Sequence, residues 1–199
     1  MKKLFLIAGL LTSSVCTFAQ HQIGSWNFQP KVGLNVATLT DTKDSDPRFG
    51  VAVGAEVEYQ VNEFLSFSGG ALYSMQGAKF DNTLGSSTIK VDYINVPIMA
   101  NFYIAKGLAV KFGIQPGFNM LAKTTNKTDI SVWGFNYKNK SDNEIEAESF
   151  DFSIPLGMSY EFNNFCIDAR YNLGATKVFD GSDSKNGVFQ LTLGYKIDL

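Results

Sequence analysis

The residues able to do acid–base, nucleophilic or metal chemistry are few in this 199-residue chain, and their spacing does not favour it. The one histidine, His21, stands beside a position where a leader peptide would be cut, so it reads as part of a loose chain end and not as a general base. Cys16 and Cys166 have no CxxC or Cys/His spacing, so neither a zinc site nor a redox pair is expected, and no cofactor. Asp41, Asp44 and Asp46, like Asp180 and Asp183, offer oxygen ligands but lack the glycine and glutamate spacing of an EF-hand, and read as solvated turns. Glu56 and Glu58 alternate and so share a face. They can form a carboxylate site or pair with Arg170 or Lys111 in a structural network, and the network is the better account because charges alone do not define catalysis. With 17 Lys+Arg against 19 Asp+Glu and a net charge of -2, the chain lacks the basic excess that grips a phosphate backbone, so nucleic acid is not an expected partner. A non-enzymatic protein is expected.

The elements that carry these residues begin after a targeting segment. Lys2 and Lys3 precede an apolar run from Leu4 to Leu11, and Thr17-Phe18-Ala19 places small residues where a signal peptidase needs them. The prediction is a cleaved signal peptide over residues 1–19 and one domain over residues 20–199; the apolar run is too short to cross a bilayer. Beyond it the sequence shows no sustained 3.6-residue period. Period-2 alternation replaces it. In the last segment Phe189, Leu191, Leu193, Tyr195, Ile197 and Leu199 oppose Gln190, Thr192, Gly194, Lys196 and Asp198. The same pattern recurs near residues 28–38, 49–60, 65–75, 94–104, 108–118, 150–162 and 165–174, which makes eight strands.

The lengths of the connections carry the topology. Those at Val61-Asn62-Glu63, Ala105-Lys106-Gly107 and Asn163-Asn164 are tight, whereas those near 39–48, 77–87, 121–147 and 179–186 are long and polar. Short turns at one end and long loops at the other, with an even strand number, predict an all-β, eight-stranded, antiparallel, up-and-down transmembrane β-barrel with short periplasmic turns and long outer loops. Such a barrel turns its apolar face to lipid and its polar face to the lumen, which explains a mean hydropathy near zero in a membrane protein. A barrel this small has room inside for side chains only, so a filled lumen is expected, carrying Lys31, Glu56, Glu58, Lys111, Asp151, Glu161, Asp168, Arg170 and Lys196 as a charge network. Tyr59, Phe64, Phe102, Tyr103, Tyr160 and Phe162 are candidates for an aromatic girdle on the short-turn side, although Tyr93 and Tyr103 alternate with the polar face. The alternative is an exported soluble barrel of lipocalin type, with an apolar ligand inside and its charges in water.

One long loop carries a possible contact surface. Trp133, Phe135 and Tyr137 lie between Lys123, Lys127, Lys138 and Lys140, a mixture suited to lipopolysaccharide phosphates, glycans or a protein partner. Residues 130–137 also alternate, so a hairpin extending strands five and six is the competing account of this segment.

The segments KVGLNVATLTD, ALYSMQGAKF, DYINVPIMANFY and PGF, with the late DARYNLGATKVF and LTLGYKIDL, resemble the PorT-like outer-membrane β-barrel family of Bacteroidetes. The likeness covers almost all of residues 20–199. It implies location in the outer membrane of a Gram-negative bacterium, lipid as the surrounding partner, insertion by the barrel-assembly machinery, and a structural, adhesive or secretion-associated role among envelope proteins. The family has no shared catalytic motif.

Overall fold

The computed structural model describes residues 22–40, 46–82, 85–132, 135–179 and 183–199. The proposed leader, His21, Asp41, Asp44, Asp180 and Trp133 therefore lie outside the described residues. Eleven strands follow one another: β1 (Trp26–Leu39), β2 (Asp46–Asn62), β3 (Leu65–Asn82), β4 (Gly85–Asn95), β5 (Ile98–Ala105), β6 (Leu108–Val132), β7 (Phe135–Glu144), β8 (Phe150–Phe162), β9 (Phe165–Gly174), β10 (Asn186–Tyr195) and β11 (Ile197–Asp198). They occupy eight staves of a closed antiparallel ring. β4 and β5 share one stave, β7 and β8 another, and β10 and β11 a third. β1 closes the ring by pairing with β2 on one side and β10 on the other, Leu34 lying opposite both Val51 and Leu191. Among the described residues closure leaves no open edge in the part of the wall between the aromatic bands, where lipid could not solvate one.

Alternation places the side chains as the membrane reading requires. On β1, Lys31 is 3% exposed while its outward neighbours Val32 and Leu34 are 58% and 61% exposed. The buried face of the ring is polar and the exposed face is aliphatic and aromatic, the reverse of a lipocalin, so the soluble alternative falls. The outward aromatics form two bands. Near the tight turns stand Trp26 tilted against Tyr59 (4.7 Å), Phe165 edge-on to Tyr195 (5.2 Å), and Phe64, Tyr160 and Phe162. At the other end Phe49, Phe189 and Tyr171 fall in line through Val36, and Phe118 meets Phe150. Phe49 and Tyr59 are ten residues apart on β2, which at about 3.3 Å per residue and a tilt of about 45° separates the bands by about 23 Å, close to the ~25 Å apolar belt of such barrels.

Two expectations are corrected. Tyr103 is not part of the girdle: Met99, Asn101 and Tyr103 form the inward set of β5, and Tyr103 is buried. The connections near 77–87 and 121–147 are also mostly strand. β3 and β4 stay paired from Leu72–Asn95 out to Asn82–Gly85, and β6 runs 25 residues to pair with β7 as far as Val132–Phe135. Since about 9–11 residues span the membrane, these hairpins carry the wall well beyond the outer aromatic band. The fourth stave breaks at Val96-Pro97, where proline has no N–H for the ladder and its carbonyl instead accepts from Gly70 N (3.2 Å).

Candidate functional site

Five charged side chains from four strands meet in the middle of the lumen. Glu56 on β2 accepts from Lys31 Nζ of β1 (2.6 Å) and from Arg170 Nη2 of β9 (3.0 Å). Asp168 of β9 accepts from Lys111 Nζ of β6 (2.7 Å), Lys31 Nζ (3.3 Å) and, through both oxygens, from Arg170 (2.6 and 3.0 Å). A second cluster lies nearer the tight turns. Lys196 reaches Glu161 of β8 (2.5 Å) and Glu58 of β2 (2.8 Å), while the Tyr103 hydroxyl lies 2.7 Å from Glu58 and 2.8 Å from Glu161 and shares its one proton between them. Ser66 donates a further hydrogen bond to Glu58 (2.5 Å). The first cluster has one cation more than it has carboxylates and the second one fewer, so together they are neutral. Neutrality and dense hydrogen bonding are what make buried charge tolerable.

Glycines give the cations room. Lys31 lies opposite Gly54 and Gly194, and Lys111 and Arg170 both lie opposite Gly157. A Cβ on Gly157 would sit 2.7 Å from Arg170 Cβ and 2.5 Å from the Ala169 carbonyl. Gly157→Val is therefore expected to destabilise the barrel by about 1–3 kcal/mol through overpacking; urea titration of the lipid-folded protein measures it, and an unchanged midpoint would mean that this part of the lumen is loosely filled.

Towards the outer end the polar filling continues and then stops at an apolar cap. Arg48 pairs with Asp92 (3.0 Å) and donates to the Gln76 carbonyl, and Tyr73 donates to Asp92 (2.8 Å). Asp151 is held by Thr176 (3.2 Å) and Asn186 (3.4 Å). Above them Leu39, Ala78, Val91, Tyr93 and Val178 form a buried apolar cluster, with Phe80, Ile89, Ala122, Ala147 and Phe179 against it. Val178 is pinned there by backbone bonds from its N–H to Ser184 and to its carbonyl from Glu148 (both 2.9 Å). The β9–β10 connection thus folds across the ring.

Of the nine charged residues that alternation assigned to the lumen, Lys31, Glu56, Glu58, Lys111, Glu161, Asp168, Arg170 and Lys196 are buried in these two clusters, whereas Asp151 is buried apart from them beside Thr176 and Asn186. Glu58 pairs with Lys196; Glu56 takes Arg170. Arg48, Asp92 and the Val178 cap were not singled out. Arg48 continues the inward series of Glu56 and Glu58 at the same parity, a usable signal; the cap had none, since it joins residues of β1, β3 and β4, two of them (Leu39 and Ala78) in segments expected to be connections, to Val178 of the β9–β10 connection. Asp46 is exposed at the start of β2, and Asp183 forms an exposed pair with Lys177 (2.6 Å). Among the described residues no three His, Cys, Asp or Glu side chains are grouped to hold a metal. Phe135 and Tyr137 take places in β7 opposite Val132 and Ile130.

A closed, polar-filled, apolar-coated ring can be compared directly with known proteins. Residues 18–180 match the family described as outer membrane protein beta-barrel domain. The chain belongs to this outer-membrane barrel family. It resides in the outer membrane of a Gram-negative bacterium, surrounded by its lipid. Among solved structures, this barrel is similar to Ail, the attachment invasion locus protein of Yersinia pestis, in complex with the heparin analogue sucrose octasulfate: 17% identity, 88% of this chain and 100% of that one covered, TM-score 0.51. It is also similar to neisserial surface protein A, at 15% identity, 86% and 97% coverage and a TM-score of 0.50. At these identities the shared property is the fold. No curated protein sequence matches the chain.

Proposed function

We propose that this outer-membrane barrel is a non-enzymatic surface protein that binds anionic glycan, such as the phosphorylated sugars of lipopolysaccharide, through the β6–β7 hairpin. One observation carries the reading: the lumen is occupied by ion pairs and closed by the apolar cap, while β6 continues far beyond the outer aromatic band. The working surface is then the part of the wall outside the membrane. There the register sets Lys123 beside Lys90 and Lys127 beside Lys140. Lys127 and Lys140, set opposite each other, gather positive charge that suits an anionic ligand, while Lys123 also faces Glu144. In the sequence Trp133, Phe135 and Tyr137 stand between these lysines, aromatic residues of the type on which sugar rings stack. The heparin analogue on Ail supports the choice of a polyanionic probe.

The double substitution Lys127→Glu with Lys140→Glu is expected to weaken binding of sucrose octasulfate and of lipopolysaccharide at least about fivefold, from loss of charge-assisted hydrogen bonds, and Trp133→Ala with Phe135→Ala is expected to weaken it further. Calorimetry on the detergent-solubilised protein reads both. Binding that neither pair of substitutions alters removes the hairpin from the account. The likeness to the PorT-like family of Bacteroidetes in DYINVPIMANFY and DARYNLGATKVF supports a second reading, a secretion-associated role beside other envelope proteins, which cross-linking and co-purification from native membranes would reveal. In either case residues 1–19 act as the leader, and the barrel-assembly machinery inserts residues 20–199.

A further inference from the structure

Among the described residues β7 is joined on one side only. Phe135–Glu144 pairs with β6 between Lys123 and Val132, whereas β8 stands beside β6 only up to Phe118 and is itself covered by β9. Among the described residues no strand runs along the other edge of β7, and Ser141, Asp142, Asn143 and Glu144 are exposed. A ten-residue open edge outside the membrane is a template on which another extended chain can add.

The order of charges along that edge selects the added chain. If two copies extend one another's sheet about a two-fold axis, residues on the same face must meet, so the axis passes through a residue. Centred on Ser141, antiparallel pairing sets Lys138 opposite Glu144 and Lys140 opposite Asp142 in both directions, with Asn139 on Asn143 and Tyr137 on Ile145 across the other face. Centring on Asn139, Lys140, Asp142 or Asn143 brings two like charges together in every case, which costs stability. Parallel pairing would stack Lys138, Lys140, Asp142 and Glu144 each on its own copy.

We propose that β7 is a homotypic adhesion strand, pairing antiparallel with β7 of a second copy about Ser141. Each β7 descends from the hairpin tip towards its own barrel, so antiparallel partners hold their barrels at opposite ends and the joint links two facing membranes. This does not depend on glycan binding.

The test uses the full protein in phosphatidylcholine vesicles, with clustering read by light scattering. Wild-type vesicles are expected to cluster. Vesicles carrying Lys138→Glu with Lys140→Glu, or Asp142→Lys with Glu144→Lys, are expected to stay dispersed alone and to cluster when the two kinds are mixed, because the acidic strand then faces the basic one at every position. Register is read by cysteine: opposed residues lie about 4.5–5.5 Å apart at Cα, within disulfide reach, and the native Cys166 is buried. Ser141→Cys is expected to form intervesicle disulfide dimers at least about tenfold faster than Asn143→Cys, because only position 141 meets itself. Dispersed wild-type vesicles would overturn the proposal, as would charge variants that cluster like wild type. Equal cross-linking at 141 and 143 would also overturn it, showing charge attraction without strand pairing.

Discussion

Asp168→Ala is expected to cost the folded barrel about 3–5 kcal/mol, the penalty for breaking a buried ion network from one side. Lys31, Lys111 and Arg170 all donate to Asp168, so its loss leaves three buried cations facing Glu56 alone. Removing the excess positive charge should recover much of the loss: Asp168→Leu combined with Lys111→Leu restores neutrality and is expected to be at most about half as destabilising. Urea titration of the protein in lipid vesicles, scored by the heat-modifiable folded band, gives both values. If Asp168→Ala unfolded at the wild-type midpoint, the cluster would be hydrated and the lumen open to water.

The outer wall gives the second large effect. Val32→Arg places a guanidinium in the middle of the apolar belt, where it is expected to cost about 2–4 kcal/mol, while Phe162→Arg, at the band beside the Asn163–Asn164 turn, is expected to cost only about 0–1 kcal/mol. Depth dependence is the signature of a bilayer. Equal small effects at both positions would mean that water, not lipid, covers this face.

Most of the ring could be read from residue order because lipid on one side and a polar lumen on the other impose the same contrast on every strand. Phe189, Leu191, Leu193 and Tyr195 lie outward and Gln190, Thr192 and Lys196 inward without exception. The reading weakened where that contrast ends. Beyond the outer band the run Lys123–Thr128 of β6 has no apolar alternation, so Thr124, Thr125, Asn126 and Thr128 look like loop although they are paired strand. Bulges were a further obstacle. Met120 is an extra residue on β6, opposite the step between Asp92 and Tyr93, and it moves the inward set from Lys111 and Gln115 to Ala122. Gly77, at φ 126, bends β3 at a comparable height. Tyr103 was assigned to the girdle because tyrosine suits an interface; its hydroxyl instead serves two carboxylates inside the ring, a choice that parity recorded and residue type obscured.

Lys196 stands in the last stretch of chain, between β10 and β11, yet its two carboxylate partners belong to β2 and β8. Any intermediate lacking the final stave holds Glu58 and Glu161 around Tyr103 with no cation between them, and the ladder is interrupted at this same height, where Pro30 offers no N–H to Tyr195. Sealing the cylinder and neutralising its lower chamber are consequently one event in biogenesis. A chain truncated before Lys196 would keep most of its wall but lack the charge that latches the seam.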